Sequence, residues 1–167
     1  TLSRCDLFFA DKIIFVEGAS ERLLLPDMIE KCDKSGLFNS EKYKLPAQYY
    51  ALIEIGGAYA YKFIPFANFL GVPCLILTDI DSMKDGRTKE VVSKGKTTSN
   101  STIKWWMRQV KSLSEDDTSL IKLSDIIALT TDQKTIDKCH IEFQTKENGL
   151  CGRSLEEAIM NINRSYY

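Results

Sequence analysis

Short apolar runs that alternate with helical segments are the feature that most constrains the fold of this chain. Each run is rich in β-branched residues and is followed by glycine or by acidic residues, as buried strands of a parallel sheet often are. Two helical segments, at 20–36 and 59–71, separate the first three runs. The pattern predicts an α/β fold, with a mostly parallel sheet covered by helices on both faces. The predicted strands lie at 7–18, 49–57, 72–82 and 138–145.

The stretch between the third and fourth strands interrupts this alternation. Residues 83–100 are polar and rich in lysine, which predicts a loop, and Asn100 or Ser101 can cap a helix that contains Trp105 and Trp106. We expect both tryptophans to pack rather than to bind a ligand. The pattern predicts a small helical insertion over about 84–135, followed near the end by a helix with a Ser154-x-x-Glu157 capping box.

Composition excludes several kinds of chemistry. The chain has 167 residues, a single histidine at His140 and five cysteines without a C-x-x-C pair. A Ser-His-Asp triad and a zinc site are therefore improbable, and the scattered cysteines favour a reduced, cytoplasmic protein. The longest apolar runs are too short to cross a bilayer, so no membrane partner is expected.

Acidic residues follow two of the predicted strands. Glu17 ends the first strand and Glu21 lies one helical turn later, while Asp79 and Asp81 end the third strand. On an extended chain, positions i and i+2 point to the same side, so the two aspartates can share a target. Carboxylates at about 4 Å repel by about 4 kcal/mol at an effective dielectric near 20. Either protonation or hard divalent cations such as Mg²⁺ or Mn²⁺ can compensate.

Each acidic pair also has a purely structural interpretation. Glutamate in a first helical turn is favoured by the helix dipole, and Asp-x-Asp commonly caps a turn. The occurrence of both pairs at strand ends, with Gly18 after the first, favours a metal site.

One basic segment contrasts with the acidic remainder of the chain. Residues 82–111 hold eight lysines and arginines against two acids, although the whole chain has a net charge of −1. A solvated loop is one interpretation. The other is contact with the phosphate backbone of a nucleic acid. The candidate nucleic-acid-binding residues are Lys84, Arg87, Lys94, Lys96 and Lys104.

Together these motifs resemble the Toprim domain, which is found in topoisomerases, primases and small nucleases. The signature is Glu-Gly after the first strand, here FVEGASE, and Asp-x-Asp after a later strand, here LTDIDS. IEIGGAYAYKFIPFANFLGVPCLILTDIDS, TSNSTIKWW and QTKENGLCGRSLEEAI narrow the resemblance to OLD-type (overcoming lysogenisation defect) nucleases. It covers nearly the whole chain.

The resemblance implies a DNA endonuclease that uses two Mg²⁺ or Mn²⁺ ions, with Glu17, Asp79 and Asp81 as catalytic residues. It implies five metal ligands, which are Glu17, Glu21, Asp79, Asp81 and Glu156. OLD proteins usually carry an amino-terminal ATPase, through which ATP and a possible homodimer would enter, and act in anti-phage defence or DNA processing. They also tend to place a catalytic lysine after the last glutamate.

This chain departs from that pattern in two places. It has no G-x-x-x-x-G-K-[ST] loop, and no lysine follows Lys146. It also begins at Thr1 rather than at methionine, so we expect residues 1–167 to be the Toprim domain of a longer protein.

Two alternatives remain at the level of sequence. One is a phosphatase of the haloacid-dehalogenase type, in which Asp79 is the nucleophile, although that motif normally sits on the first strand. The other is a non-catalytic module whose acids bind Mg²⁺ during assembly.

Overall fold

The computed structural model describes residues 2–36, 48–56 and 58–166. The polar connection expected between the first helix and the second strand lies largely outside these residues. The chain forms two compact units. The first contains Thr1–Leu77 and Asp137–His140, and the second contains Thr78–Ile136 and Ile141–Tyr167.

The first unit is built on parallel strands, as the alternating pattern predicted. β1 (Lys12–Val16) pairs in parallel with β2 (Tyr50–Glu54) on one side and with β3 (Cys74–Leu77) on the other. The first half of β7 (Cys139–Glu142) lies next to β3. Residues 13–16 are buried without alternation, because both faces of a parallel strand are covered.

Helices α1 (Ala19–Lys34) and α2 (Ile64–Leu70) belong to this unit. Ile29 of α1 packs with the buried residues Ile14 and Val16 of β1. α1 begins directly after Gly18 and contains Pro26 in its interior. In α2, proline occupies the first turn, where its missing N–H costs nothing.

The first strand is shorter than predicted. Residues Leu2–Phe8 form a 3-10 helix, and β1 begins only at Lys12. The apolar run alone did not distinguish these conformations, since a short apolar segment suits either one.

The second unit holds the predicted insertion helices and a small antiparallel ladder. α3 (Ser101–Lys111) and α4 (Leu123–Ile127) bury Trp106, Met107 and Ile126 completely. The expectation of a loop over 83–100 was wrong in part, because β4 (Ser82–Met83) pairs with β5 (Thr97–Thr98). Strands of two residues carry no detectable periodicity.

The rest of this unit follows the insertion. β6 (Thr135–Ile136) lies beside β7, and β8 (Lys146–Glu147) forms a hairpin with β9 (Leu150–Cys151). α5 (Leu155–Ile162) comes next. Gly152 is buried before it, and an added Cβ there would lie 2.5 Å from the backbone nitrogen of Ala158. Only glycine fits so close to the helix.

No helix among the described residues has the length and apolar character needed to span a membrane. All five cysteines are free thiols.

Candidate functional site

The end of β1 leads directly into the predicted acidic residues of the first unit. Glu17 is half-buried after the strand, and Gly18 caps α1 in an extended conformation. The backbone N–H of Gly18 donates to Oε2 of Glu21 at 3.0 Å. Glu21 thus leans back along the chain and stabilises the helix start through the cap and the helix dipole.

A third glutamate, which the sequence analysis did not select, lies at the end of the neighbouring strand. Glu54 is in register with Val16, and its Oε2 lies 3.1 Å from Nε of Arg22. Both side chains are largely exposed, so this ion pair adds little stability. The sequence feature that could have identified Glu54 is an acidic residue at the end of a strand, close to a pair of glycines.

Asp79 is held by two donors from distant parts of the second unit. Its Oδ1 accepts from Nε2 of Gln144 at 2.7 Å and from the backbone N–H of Leu155 at 3.1 Å. The other end of the same glutamine amide, Oε1, accepts from the N–H of Ile80 at 2.8 Å. Gln144 therefore fixes both the carboxylate and the backbone that carries it.

A buried asparagine holds the same segment from another direction. Nδ2 of Asn100 donates to Oγ1 of Thr78 at 2.7 Å and to the carbonyl of Asp79 at 2.8 Å. Its Oδ1 accepts from the N–H of Ile103 at 3.0 Å, so Asn100 is also the predicted cap of α3. Asn100 is only 1% exposed, and its bonds to Thr78 and Ile103 are buried away from water.

Asp81 adopts a conformation that the extended-chain prediction did not anticipate. β3 ends at Leu77, and Asp81 has a φ of +45°, so the i and i+2 rule for strands does not apply to it. Its N–H donates to the carbonyl of Arg153 at 3.1 Å, and its carbonyl accepts from the N–H of Ser99 at 3.0 Å. These two bonds offset the strain of the left-handed backbone.

Arg153 is the cation beside Asp81. One of its Nη atoms lies 3.9 Å from Oδ1 of Asp81, and its Nε donates to the carbonyl of Ser82 at 3.2 Å. Burial raises the pKa of Asp81, and the positive charges of Arg153 and Lys89 offset part of that effect.

Glu156 lies in the first turn of α5, next to the residue whose N–H holds Asp79. Its Oε2 accepts from Oγ of Ser154 at 2.8 Å, and its side chain is exposed. Ser154 caps the helix as predicted, accepting from the N–H of Glu157. Glu157 in turn accepts from the N–H of Arg153 at 2.7 Å, one residue before the expected position.

The predicted metal ligands are thus divided between the units. Glu17 and Glu21 belong to the first, whereas the start of α5 brings Asp79, Asp81 and Glu156 into one part of the second. Within the part of the chain that the structure describes, no group of three or more His, Cys, Asp or Glu side chains is close enough to hold a metal ion. The oxygen-only donor set is chemically suited to Mg²⁺ or Mn²⁺.

Three of the five predicted nucleic-acid-binding residues line an open cleft of about 730 Å³ in the second unit. They are Lys84, Lys96 and Lys104. Lys122, which the sequence analysis missed because it lies outside the basic segment, lines the cleft as well. Arg87 and Lys94 are exposed but are not among its lining residues.

The tryptophans of α3 differ in burial. Trp106 is fully buried, and its indole N–H donates to the carbonyl of Gln133 at 2.9 Å. Trp105 is half-buried and meets Trp106 edge to face. The packing role expected for Trp106 is confirmed.

Comparison with known proteins matches residues 8–81 to the family described as "Overcoming lysogenization defect protein-like, TOPRIM domain". Over 163 residues, or 95% of its length, the chain is 31% identical to the endonuclease GajA of Bacillus cereus (strain HuB5-5). It spans 20% of the length of that protein. No solved structure matches the chain significantly.

Proposed function

Residues 8–81 belong to the OLD-like TOPRIM family, and from this membership we propose that the chain is the nuclease module of an OLD-type endonuclease. Its reaction is the hydrolysis of phosphodiester bonds in DNA with Mg²⁺ or Mn²⁺. The similarity to the endonuclease GajA over almost the whole chain supports the same activity.

The observation that carries the proposal is the position of the acids relative to the strands. β1 and β3 are neighbouring parallel strands in the sheet of the first unit, and β2 pairs with the other edge of β1. Glu17 follows β1 directly, and both Asp79 and Asp81 follow β3 within four residues. In parallel α/β proteins, functional residues lie at the carboxyl ends of the strands.

We assign the catalytic carboxylates to Glu17, Asp79 and Asp81, and we include Glu21 and Glu156 among the metal ligands. These carboxylates would hold two divalent ions, which would supply an activated water and charge stabilisation for the phosphate oxygens. Neighbouring groups of the chain orient one of these ligands. Gln144 and the N–H of Leu155 hold one carboxylate oxygen of Asp79 in a fixed direction.

Attack by water, rather than by a side chain, is the proposed mechanism. A topoisomerase-like reaction needs a positioned tyrosine, and nothing in the sequence marks one. Water as the nucleophile leaves a cleaved strand with no covalent link to the protein.

The test is plasmid nicking by the purified chain with Mg²⁺ or Mn²⁺. Asp79→Ala is expected to abolish nicking, by at least about 100-fold, because it removes a ligand to the catalytic ions. Asp79→Asn keeps an oxygen that can accept from Leu155 and tests the charge alone. Asp132→Asn, which changes an exposed aspartate of the same unit, is the matched control and should nick normally.

Other results would favour the alternatives. Turnover of a small phosphomonoester without nicking would favour the phosphatase, with Asp79 as its nucleophile. Metal binding with neither reaction would favour the non-catalytic assembly module. Full nicking by Asp79→Ala would contradict the assigned site.

We propose further that the module acts within a larger cytoplasmic protein. An ATPase domain would supply the ATP dependence and a dimer interface, and the whole would serve anti-phage defence or DNA processing. The chain spans only a fifth of the GajA length, which leaves ample sequence for such a domain.

A further inference from the structure

The open cleft of the second unit collects lysines from four separate elements. Lys84 follows β4, Lys96 precedes β5, Lys104 lies on α3, and Lys122 is the cap residue of α4. All four side chains line the same cleft. Lysines that are well separated in sequence thus lie on one surface.

Backbone hydrogen bonds fix three of these lysine-bearing segments together. The N–H of Lys96 donates to the carbonyl of Met83 at 2.8 Å, and the carbonyl of Lys96 accepts from the N–H of Leu123 at 2.8 Å. Oγ1 of Thr97 donates to the carbonyl of Ile121 at 3.2 Å. These bonds therefore set the spacing of the backbone segments that carry Lys84, Lys96 and Lys122.

The cleft has an excess of positive charge. Asp85 is the one acid among its described lining residues, and its Oδ1 accepts from the N–H groups of Arg87 and Thr88 at 3.0 and 2.8 Å. Over the residues described, none of the four lysines forms an ion pair. The ammonium groups are consequently available to an anionic ligand.

We infer that this cleft binds the phosphate backbone of DNA without reading its sequence. None of the described residues that line the cleft is an aromatic residue on which a base could stack, and lysine attracts phosphate as a point charge. Because the cleft is open to solvent, it suits a strand passing through it. This inference rests on the proposed nuclease function, since it assigns to that function a place where the substrate is held.

Lys146 of β8 supplies a matched control. It is an exposed cation of the same unit, but it does not line the cleft. If the cleft binds DNA, the effect of removing a charge depends on its position. If DNA is attracted only through the total charge of the unit, position has no influence.

The experiment measures binding of a fluorescent DNA duplex by the full chain in EDTA, where metal-dependent cleavage cannot occur. Lys84→Gln, Lys96→Gln, Lys104→Gln and Lys122→Gln are each expected to weaken binding by roughly 3- to 10-fold. Each should also lower the slope of log K against log salt concentration by about 0.9. Lys146→Gln should change the affinity by less than about twofold.

A second kind of variant tests the same surface without lowering the stability of the protein. Ser124 lines the cleft in the first turn of α4, where an acidic residue is favoured by the helix dipole. Ser124→Glu should therefore weaken DNA binding while leaving the melting temperature unchanged or higher. Weaker binding in this variant cannot be attributed to unfolding.

Three outcomes would overturn the inference. They are equal effects of the cleft and control variants, the absence of DNA binding at low salt, and binding of ATP or inorganic phosphate that DNA does not displace. The last would assign the cleft to a free nucleotide or phosphate. Because binding is measured without metal, this test of the cleft does not depend on catalysis. Loss of nicking in Asp79→Asn with DNA binding intact would support the proposed function, whatever the lysine variants show.

Discussion

The Asp79 segment and the lysine cleft belong to the same unit, but they hold their charged groups in different ways. The Asp79 carboxylate and backbone are fixed by side chains and N–H groups from three other elements, partly in buried surroundings. The lysines are fixed only through their backbones. The difference matches the two tasks proposed, because a metal ligand must point in one direction, whereas a cation can attract a polyanion from many positions.

Asn100→Ala is the change expected to damage the Asp79 segment most. It removes the cap of α3 and the side chain that donates to the hydroxyl of Thr78 and to the carbonyl of Asp79. We expect the free energy of unfolding to fall by about 2–4 kcal/mol, as measured by urea denaturation. Ser154→Ala, at the half-buried cap of α5, is the control and should cost about 1 kcal/mol.

If both cap variants lost the same free energy, Asn100 would be an ordinary helix cap. The contrast between the two regions would then lose its main support.

Gln144→Met should separate activity from stability. The shape is nearly conserved, but the N–H of Ile80 and the carboxylate of Asp79 each lose a partner. We expect a loss of about 1–2 kcal/mol in unfolding free energy and a nicking rate at least about tenfold lower. Gln133→Met is the control, because that side chain bonds only within its own exposed turn, and it should nick at the normal rate.

A Gln144→Met protein that nicked normally would show that the glutamine supports the fold alone. The direction of the Asp79 carboxylate would then be irrelevant to the reaction.

Asp85→Asn should have the smallest effect, since Asp85 is exposed. Backbone N–H groups of Thr88 and Arg87 lower the pKa of Asp85, so its ionised form contributes stability above its unfolded pKa of about 3.9. That contribution is lost as the pH falls through the lowered folded pKa. Thermal unfolding at several pH values should show a slight loss in the variant at neutral pH, which disappears in strong acid.

The same variant should bind DNA slightly more tightly, by less than about threefold, because it removes an acid from the cleft. A loss of stability as large as that of Asn100→Ala would break the distinction between a fixed and an adaptable region.

The sequence predicted the parts of this molecule that depend on short-range pattern. The alternation of strands and helices in a parallel α/β fold, the acids after β1 and β3, and the caps at Asn100 and Ser154 all follow from residues close together in the chain. The family resemblance is likewise confirmed by the match over residues 8–81.

The residues that were not predicted from the sequence form contacts with residues that are distant along the chain. Gln144 reaches Asp79 over 65 positions, and Arg153 reaches Ser82 over 71. A glutamine or arginine at such a position carries no periodicity and no motif. Lys122 was missed for the same reason, since only the folded backbone brings it to the basic segment.

The placement of the five metal ligands and the roles of the basic residues stay predictions. The structure also identifies the residues that support Asp79 and Asp81, and these residues define the variants to be tested.

Gly152 has a consequence for how tolerant this protein is to genetic change. Since even a methyl group would collide with the main chain of α5, a screen of random substitutions should recover almost none at this position. Such intolerance would imitate that of a catalytic residue, although glycine has no reactive group. Sensitivity to substitution at Gly152 therefore reflects the space available to the backbone. An assay of folding would distinguish this effect from the loss of a catalytic group.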